Sequence, residues 1–276
     1  MVSKKTWRQK TALYGILIIW VIVCLFPLYN LIATTFSSDS SDLTRTFVPN
    51  DLANGIKKIT SAFTDGNILK STISTLGYTV FTIVGMVLIC LLVSYEFTFY
   101  QFPLKKIFHG MILAAMMFPM VLYVIPLYRF VVQIGISDTI PGIAAPLMVS
   151  SLSVFILMQF MEDLPLSFVE SARIDGAGHF STFFRIIFPL MRNGIITTTV
   201  LMFLNVWGAY LWPSLVSGQR IVPMSFTIAN LLSPNFYVDP RVKYAAMLLS
   251  AMPPMLIYMF FQRYVITGIT MSGIKG

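Results

Sequence analysis

Charge is scarce in this chain. Of 276 residues only 30 are charged, 19 basic and 11 acidic, or 11%, against 57% hydrophobic. Soluble domains carry about 25% charged residues, so composition alone excludes a soluble globular protein and indicates an integral membrane protein. Cysteine and histidine are scarcer still, with two of each. Cys24 and Cys90 both fall inside apolar runs, which implies neither a disulfide framework nor a metal site. His109 and His179 stand in no H-E-x-x-H pattern, which leaves a metal-dependent membrane protease without its ligands. No G-x-x-x-x-G-K-[ST] phosphate loop occurs, and Gly273-Ile274-Lys275-Gly276 does not supply one, so the chain is not expected to hydrolyse ATP itself. The net charge of +8 does not indicate nucleic acid, because the basic residues are scattered around the ends of apolar runs, where they anchor and orient a membrane protein.

What is present is a series of long apolar runs. The first follows a polar start carrying Lys4, Lys5, Arg8 and Lys10 and extends over about 12–33. That exceeds the 7–15 apolar residues of a secretory signal peptide, so it reads as a membrane span. A polar loop over 36–67 holds Asp39, Asp42, Asp51 and Asp65, and further spans are expected at about 69–93, 107–128, 140–161, 194–216 and 244–266. Gly77 and Gly85 in the second favour close helix packing, and Pro119 and Pro126 interrupt the third. The fold expected is an all-α integral membrane protein of six transmembrane helices, forming one domain over 1–276.

Six spans place both termini on one side. With that side cytoplasmic, the inner segments collect Lys4, Lys5, Arg8, Lys10, Lys105, Lys106, Arg173, Arg185, Arg192, Arg263 and Lys275, eleven of the nineteen basic residues. The excess of Lys and Arg orients the chain with both termini inside. The spans themselves hold few ionisable groups; Glu96 and Arg129 lie near span ends. Ion-coupled carriers bury such groups to bind the driving ion, so the energy for any transport is expected from a partner.

The loop over 162–193, between spans four and five and therefore cytoplasmic, departs from this sparseness. It holds seven of the 30 charged residues. At about 2.5–3.5 kcal/mol per charge at mid-membrane, a lipid-facing position is ruled out. Ser167-Phe168-Val169-Glu170 has the spacing of a capping box, predicting the start of a short helix. Gly176 and Gly178 offer positions for a helix stop and a sharp turn. Phe180, Phe183, Phe184, Ile187 and Phe188 recur at helical spacing as one apolar stripe, ended by Pro189. The reading is a helix-turn-helix with one small charged helix presented outward.

This loop resembles the cytoplasmic EAA loop of ABC importer permeases, whose pattern is E-A-A-x-x-x-G, nine residues, then I-x-L-P. Glu170, Ala172, Gly176, Ile186 and Pro189 fall on that spacing, with Ser171 in place of an alanine and Phe188 in place of a leucine. Asp175-Gly176-Ala177 is similar to the carbohydrate branch, in particular its second, maltose-type membrane subunit. Trp207 and Leu211-Trp212-Pro213 resemble that family's W-N-x-x-L-W-P stretch, with Gly208 at the usual asparagine. Pro253-Pro254, Gln262-Arg263-Tyr264, Gly268 and the 273–276 stretch resemble its closing pattern, from which Met271-Ser272 departs.

The resemblance implies a binding-protein-dependent permease that is not itself an enzyme. It implies a second permease subunit as a heterodimer, two ATPase subunits that bind ATP and Mg, and an extracytoplasmic solute-binding protein. The location implied is the bacterial cytoplasmic (inner) membrane. Glu170, Ala172, Asp175, Gly176, Ala177 and Pro189 are the residues so assigned to ATPase coupling. The cargo implied is a carbohydrate, an oligosaccharide or alternatively a sugar phosphate of the glycerol-phosphate type; an ion-coupled sugar carrier is the competing class. No catalytic residue, resident cofactor or metal is expected in the chain. Aromatic faces and amides suit sugar rings, so Asn205, Trp207, Tyr210 and Tyr123 are the candidates for the substrate path, with Tyr128, Gln159 and Trp212 nearby. Asn205 leads because an amide in mid-span needs a hydrogen-bond partner.

Overall fold

The structure, a computed structural model, describes residues 7–38 and 48–272. Lys4, Lys5, Asp39, Asp42 and the 273–276 stretch lie outside the described residues, and with them both termini. Among the described residues the ordered elements are all helical. The chain divides into two compact units, one of residues 1–69 and 228–252, the other of 70–227 and 253–276.

In the first unit, α1 (Trp7–Thr35) is apolar on every side and exposes Trp7, Tyr14, Ile16, Trp20 and Phe26. A helix hydrophobic all round belongs in lipid or a large core. At about 1.5 Å per residue its 29 residues exceed the ~30 Å of hydrocarbon. Its end packs on α2 (Leu52–Thr64), which starts on Asp51, whose carboxylate accepts from Asn54 N at 2.9 Å. Gly55 lies against the Phe36 ring so closely that a Cβ there would overlap it. The buried Arg241 donates from Nε to Ser37 Oγ at 3.1 Å, and Lys58 pairs with Asp239 at 2.7 Å.

The second unit holds most of α3 (Ile68–Phe99), an unbroken helix of 32 residues, followed by α4 (Lys105–Met116), a 3-10 turn over Met120–Leu122 and α5 (Val124–Gln133). The span expected over 107–128 is interrupted at Pro119 as its sequence indicates, whereas Pro126 sits in the first turn of α5 and breaks nothing. Pro119 forces extended backbone on its neighbourhood and cannot donate to the turn before it. The run over 140–161 is likewise divided, into α6 (Ile140–Met148) and α7 (Ser151–Glu162), bent by 48°. Ser150 caps α7 by accepting from Ser153 N at 3.2 Å, and the Cys90 thiol lies 3.5 Å from Met148 O and 3.7 Å from Ser150 O, carbonyls freed by the break. In an apolar surrounding such groups need partners from neighbouring helices. Gly85 makes that approach possible, since a Cβ on it would overlap Met148, and Gly77 meets Ile140.

After the charged loop come α11 (Arg192–Trp207), α12 (Leu211–Val216), α13 (Met224–Leu232) and α14 (Pro240–Ser272), the last continuous through Pro253 and Pro254. Both α4 and α11 pack on α7, and α12 packs on α5 and α6. Trp212 is fully buried there and donates from its indole to Ile143 O at 2.9 Å. Among the described residues three helices, over 9–35, 68–99 and 240–266, are long and apolar enough to cross a membrane, and the number rises to five if each of two bent pairs is counted as one span.

One turn in this unit is closed by a carboxylate. Asp138, at φ +55°, accepts from Gly218 N (2.8 Å), Ile221 N (2.9 Å) and Arg220 N (2.9 Å), while its own N–H donates to Val216 O (2.8 Å). Burial acts to raise its carboxyl pKa, but backbone N–H groups of Arg220, Ile221, Gly218 and Gln219 together hold it below the ordinary value.

Candidate functional site

The charged loop begins at α8 (Ser167–Ile174). The capping box expected of Ser167 and Glu170 does not form. Leu166 already has helical angles and stands at the cap position without a side-chain bond; Val169 N and Glu170 N donate to its carbonyl at 3.0 and 3.1 Å, and Phe168 N donates to Pro165 O at 3.2 Å. Pro165, with its φ fixed near the helical value, starts the turn early and leaves Ser167 inside the helix.

The helix stop is as expected at Gly176. It adopts φ +78°, Gly176 N donates to Arg173 O at 3.0 Å and Ala177 N to Ala172 O at 2.9 Å. This pair of bonds is a Schellman motif with Asp175 as the cap residue. Gly178, at φ −72°, makes no use of glycine's freedom. Val169 and Ala172 face inward, whereas Glu170, Arg173, Asp175 and the apolar side chains of Phe168 and Ile174 face outward.

The second helix of the loop is not one regular stripe. It runs as α9 (His179–Thr182), a π-helical segment over Phe183–Ile187 and α10 (Phe188–Leu190). Phe188 N donates five residues back to Phe183 O. Pro189 has no N–H and its ring presses on the carbonyl four residues earlier, a crowding that the wider π turn relieves. The stripe is not uniformly inward: Phe183 and Ile187 are buried, while Phe180 and Phe184 are exposed. Pro189 lies inside α10, and the chain bends by 75° at Met191 to enter α11.

The loop is held to the end of α3 by an aromatic cluster that sequence reasoning passed over. The Arg173 guanidinium lies 4.5 Å from the Tyr100 ring centroid, and the His179 ring stacks on Tyr100 at 4.3 Å. Tyr100 and Tyr95 share a hydroxyl–hydroxyl bond of 2.7 Å, and Tyr95 packs on Phe183 at 5.3 Å. The Tyr100 hydroxyl raises the Arg173 pKa above its ordinary value. His179 Nδ1 lies 3.9 Å from Glu96, an ion pair only when the imidazole is protonated. The one signal in the sequence was the run of aromatics from Phe97 to Phe102, which reads as an ordinary connection.

A second feature lies at the α6–α7 break. A cavity of about 410 Å³ is lined by Tyr123, Ser150, Ser151 and Asn205 among others, and no charged side chain is among the lining residues. The structure thus brings together two of the four substrate-path candidates. The others stand apart from this cavity: Trp207 is buried and stacks on Phe203 at 5.6 Å, and Tyr210 is exposed at the start of α12. Gln159 donates to Glu162 at 3.3 Å, and neither it nor Tyr128 lines the cavity.

The model of a family described as the binding-protein-dependent transport system inner membrane component matches residues 86–271, more than half of the chain. The chain belongs to that family. It is 30% identical over 262 residues to the arabinooligosaccharides transport system permease protein AraQ of Bacillus subtilis (strain 168), with 92% of each chain covered. It is 27% identical over 269 residues to the sn-glycerol-3-phosphate transport system permease protein UgpE of Agrobacterium fabrum, covering 92% of this chain and 93% of that one. In fold it matches a chain from the crystal structure of a bacterial ABC transporter involved in the import of the acidic polysaccharide alginate. The TM-score is 0.82 at 21% identity, covering 95% of this chain and 99% of the other. The protein is thus an all-helical, multi-pass membrane component of a binding-protein-dependent transport system.

Proposed function

We propose that this chain forms half of the translocation path of an ATP-driven importer of a neutral carbohydrate, an oligosaccharide in particular, in the bacterial cytoplasmic membrane. The observation that carries the reading is α8. It is a short helix, closed by the Gly176 Schellman turn, that presents Glu170, Asp175 and Ile174 outward. A helix so placed suits docking in a cleft of an ATPase subunit, with Glu170 and Asp175 making polar contacts, Ala177 allowing close approach and Pro189 setting the exit, while Ala172, expected on the docking face, is turned inward and seats the helix on its own chain. Two ATPase subunits would bind ATP and Mg, a second permease would complete the path, and an extracytoplasmic protein would deliver the solute. Closure of the ATPase pair would move α8 and rock the spans between inward- and outward-facing states.

The path is read as six crossings with both termini cytoplasmic, the pieces α4 and α5 supplying the crossing beyond the five counted by length. Carbohydrate as cargo is supported by the names of the relatives. Sugar phosphate is the second reading, favoured by the glycerol-3-phosphate relatives, which cover as much of the chain. The uncharged lining around Tyr123 and Asn205 favours a neutral sugar, since a phosphate in a low-dielectric cavity needs a compensating charge.

The test is purification of the tagged chain from its native membrane in mild detergent, with mass identification of its companions. Recovery with a second permease and an ATPase dimer is expected. Recovery of the chain alone, with uptake driven by an ion gradient in proteoliposomes, would replace the reading with a secondary carrier.

A further inference from the structure

An eight-residue helix such as α8 is too short to stand on its own. Its orientation is therefore set by what it touches. Inward burial of Val169 and Ala172 fixes one face. The turn beyond it is gripped on both legs by a single side chain: Arg173, three residues before Gly176, and His179, three residues after, both lie against the Tyr100 ring, at 4.5 and 4.3 Å. Tyr100 is itself immobilised. Its N–H donates to Glu96 O at 3.2 Å, which continues the last turn of α3, and its carbonyl accepts from Lys105 Nζ at 2.8 Å. Its hydroxyl bonds that of Tyr95, a residue only 1% exposed.

We infer that Tyr100 is a positioning residue that locks the α8 turn to the end of α3, so that the two move as one body when α8 is displaced. The inference rests on the coupling role proposed above, and it adds to that role the route by which displacement of α8 reaches the spans. Without the ring, α8 would keep its own turn and its two buried side chains but could swivel about them. A force applied at Glu170 or Asp175 would then move the helix and leave α3 behind.

The experiment uses the intact complex in nanodiscs, with Cys24→Ala and Cys90→Ser in this chain and nitroxide labels at Ser167→Cys on α8, away from the docking side chains, and Leu88→Cys on α3, both exposed positions. Electron–electron double resonance then reads the distance between the two helices. The parent is expected to give one narrow distance peak that keeps its position when ATP and vanadate are added. Tyr100→Phe, which keeps the stacked ring, should keep the peak. Tyr100→Ala should broaden it roughly twofold and make it shift with ATP and vanadate, as α8 follows its partner alone. Arg173→Met, at an exposed side chain, tests the same grip should Tyr100→Ala fail to assemble, and should broaden the peak in the same direction. A narrow, nucleotide-independent peak in Arg173→Met and in any assembled Tyr100→Ala complex overturns the inference, as does a parent peak that itself shifts. Failure of the coupling reading would show differently, as absence of ATPase subunits from the preparation.

Discussion

Of the turns in the larger unit that use the left-handed region of backbone space, those at Gly176 and Asp138 are closed in opposite ways. At Gly176, φ +78°, the bonds are backbone to backbone and lie between residues 172 and 177. At Asp138, φ +55°, the turn is fixed by a carboxylate that takes N–H groups from 218, 220 and 221, some eighty residues away in sequence. The first is a local device: any chain with a glycine after a short helix can make it. The second exists only once two distant loops have met. The helix stop at Gly176 could therefore be read from residue order, and the clasp at Asp138 could not.

The largest effect should come from breaking the local turn. No atom lies within 4 Å of where a Cβ would sit on Gly176, so the cost of Gly176→Val is conformational alone. A β-branched residue held at this φ costs about 1–3 kcal/mol, and the end of α8 would unwind instead. Solute uptake should fall by at least about tenfold with unchanged abundance in the membrane, as measured by uptake alongside immunoblotting of membranes. Gly176→Asn should retain much of the activity because asparagine tolerates the left-handed region. Normal uptake by the valine variant would remove the coupling claim.

The distant clasp should matter for stability more than for coupling. Asp138→Ala leaves three N–H groups without their acceptor, a loss of about 1–2 kcal/mol after allowance for partial exposure. A lower midpoint of thermal unfolding in the purified complex would show it. The acid limb supplies a second reading. Because the folded carboxyl pKa is held below the unfolded value near 3.8, the clasp contributes fully above that value and fades as pH falls through the folded one. Wild type should thus lose stability over that acid window, and the alanine variant should lose less. Equal acid slopes would mean that the carboxylate does not hold the loops. Gly218→Ala should cause a smaller loss, since its Cβ would come within 2.7 Å of Asp138 Oδ2 and force the clasp apart slightly.

The same division between local and distant causes runs through what the sequence made legible. Hydropathy alone located α1, α3 and α14, because length and composition of one run decide them. It did not reveal that the 140–161 run is broken, nor that of the two prolines expected to interrupt 107–128 only Pro119 does so, since a proline in an apolar run bends, breaks or is absorbed according to its neighbours. Pro119 lies at a break, whereas Pro253 and Pro254 pass through an unbroken α14. The phenylalanine stripe follows an ideal 3.6-residue period in sequence, but the helix that carries it includes a π turn at Phe183–Ile187 and buries only Phe183 and Ile187 of the stripe's five residues. In the candidate site, motif spacing pointed to Gly176 and its flanks. Tyr100 was passed over because its partners Arg173 and His179 are some seventy residues further on. Residue chemistry proposed Asn205 and Tyr123 for the substrate path, and the fold sets both on one cavity, but it equally proposed Trp207, which the fold turned into core.

The smallest expected effect sharpens the comparison at its local end. Ser167 has the right spacing to Glu170 for a capping box, and in such a box replacing the serine by alanine costs about 0.5–2 kcal/mol. Here the cap position belongs to Leu166, whose carbonyl already takes Val169 N and Glu170 N, and Ser167 is an exposed residue of the first turn. Its hydroxyl has no orphan donor to satisfy. Ser167→Ala should therefore leave the unfolding midpoint and the uptake rate unchanged, within about 0.5 kcal/mol, and the higher helix propensity of alanine would act in the stabilising direction. Calorimetry of the purified complex decides the matter. A loss near 1 kcal/mol would mean that α8 starts on Ser167 after all, and that Pro165, by its fixed φ, does not start the helix early.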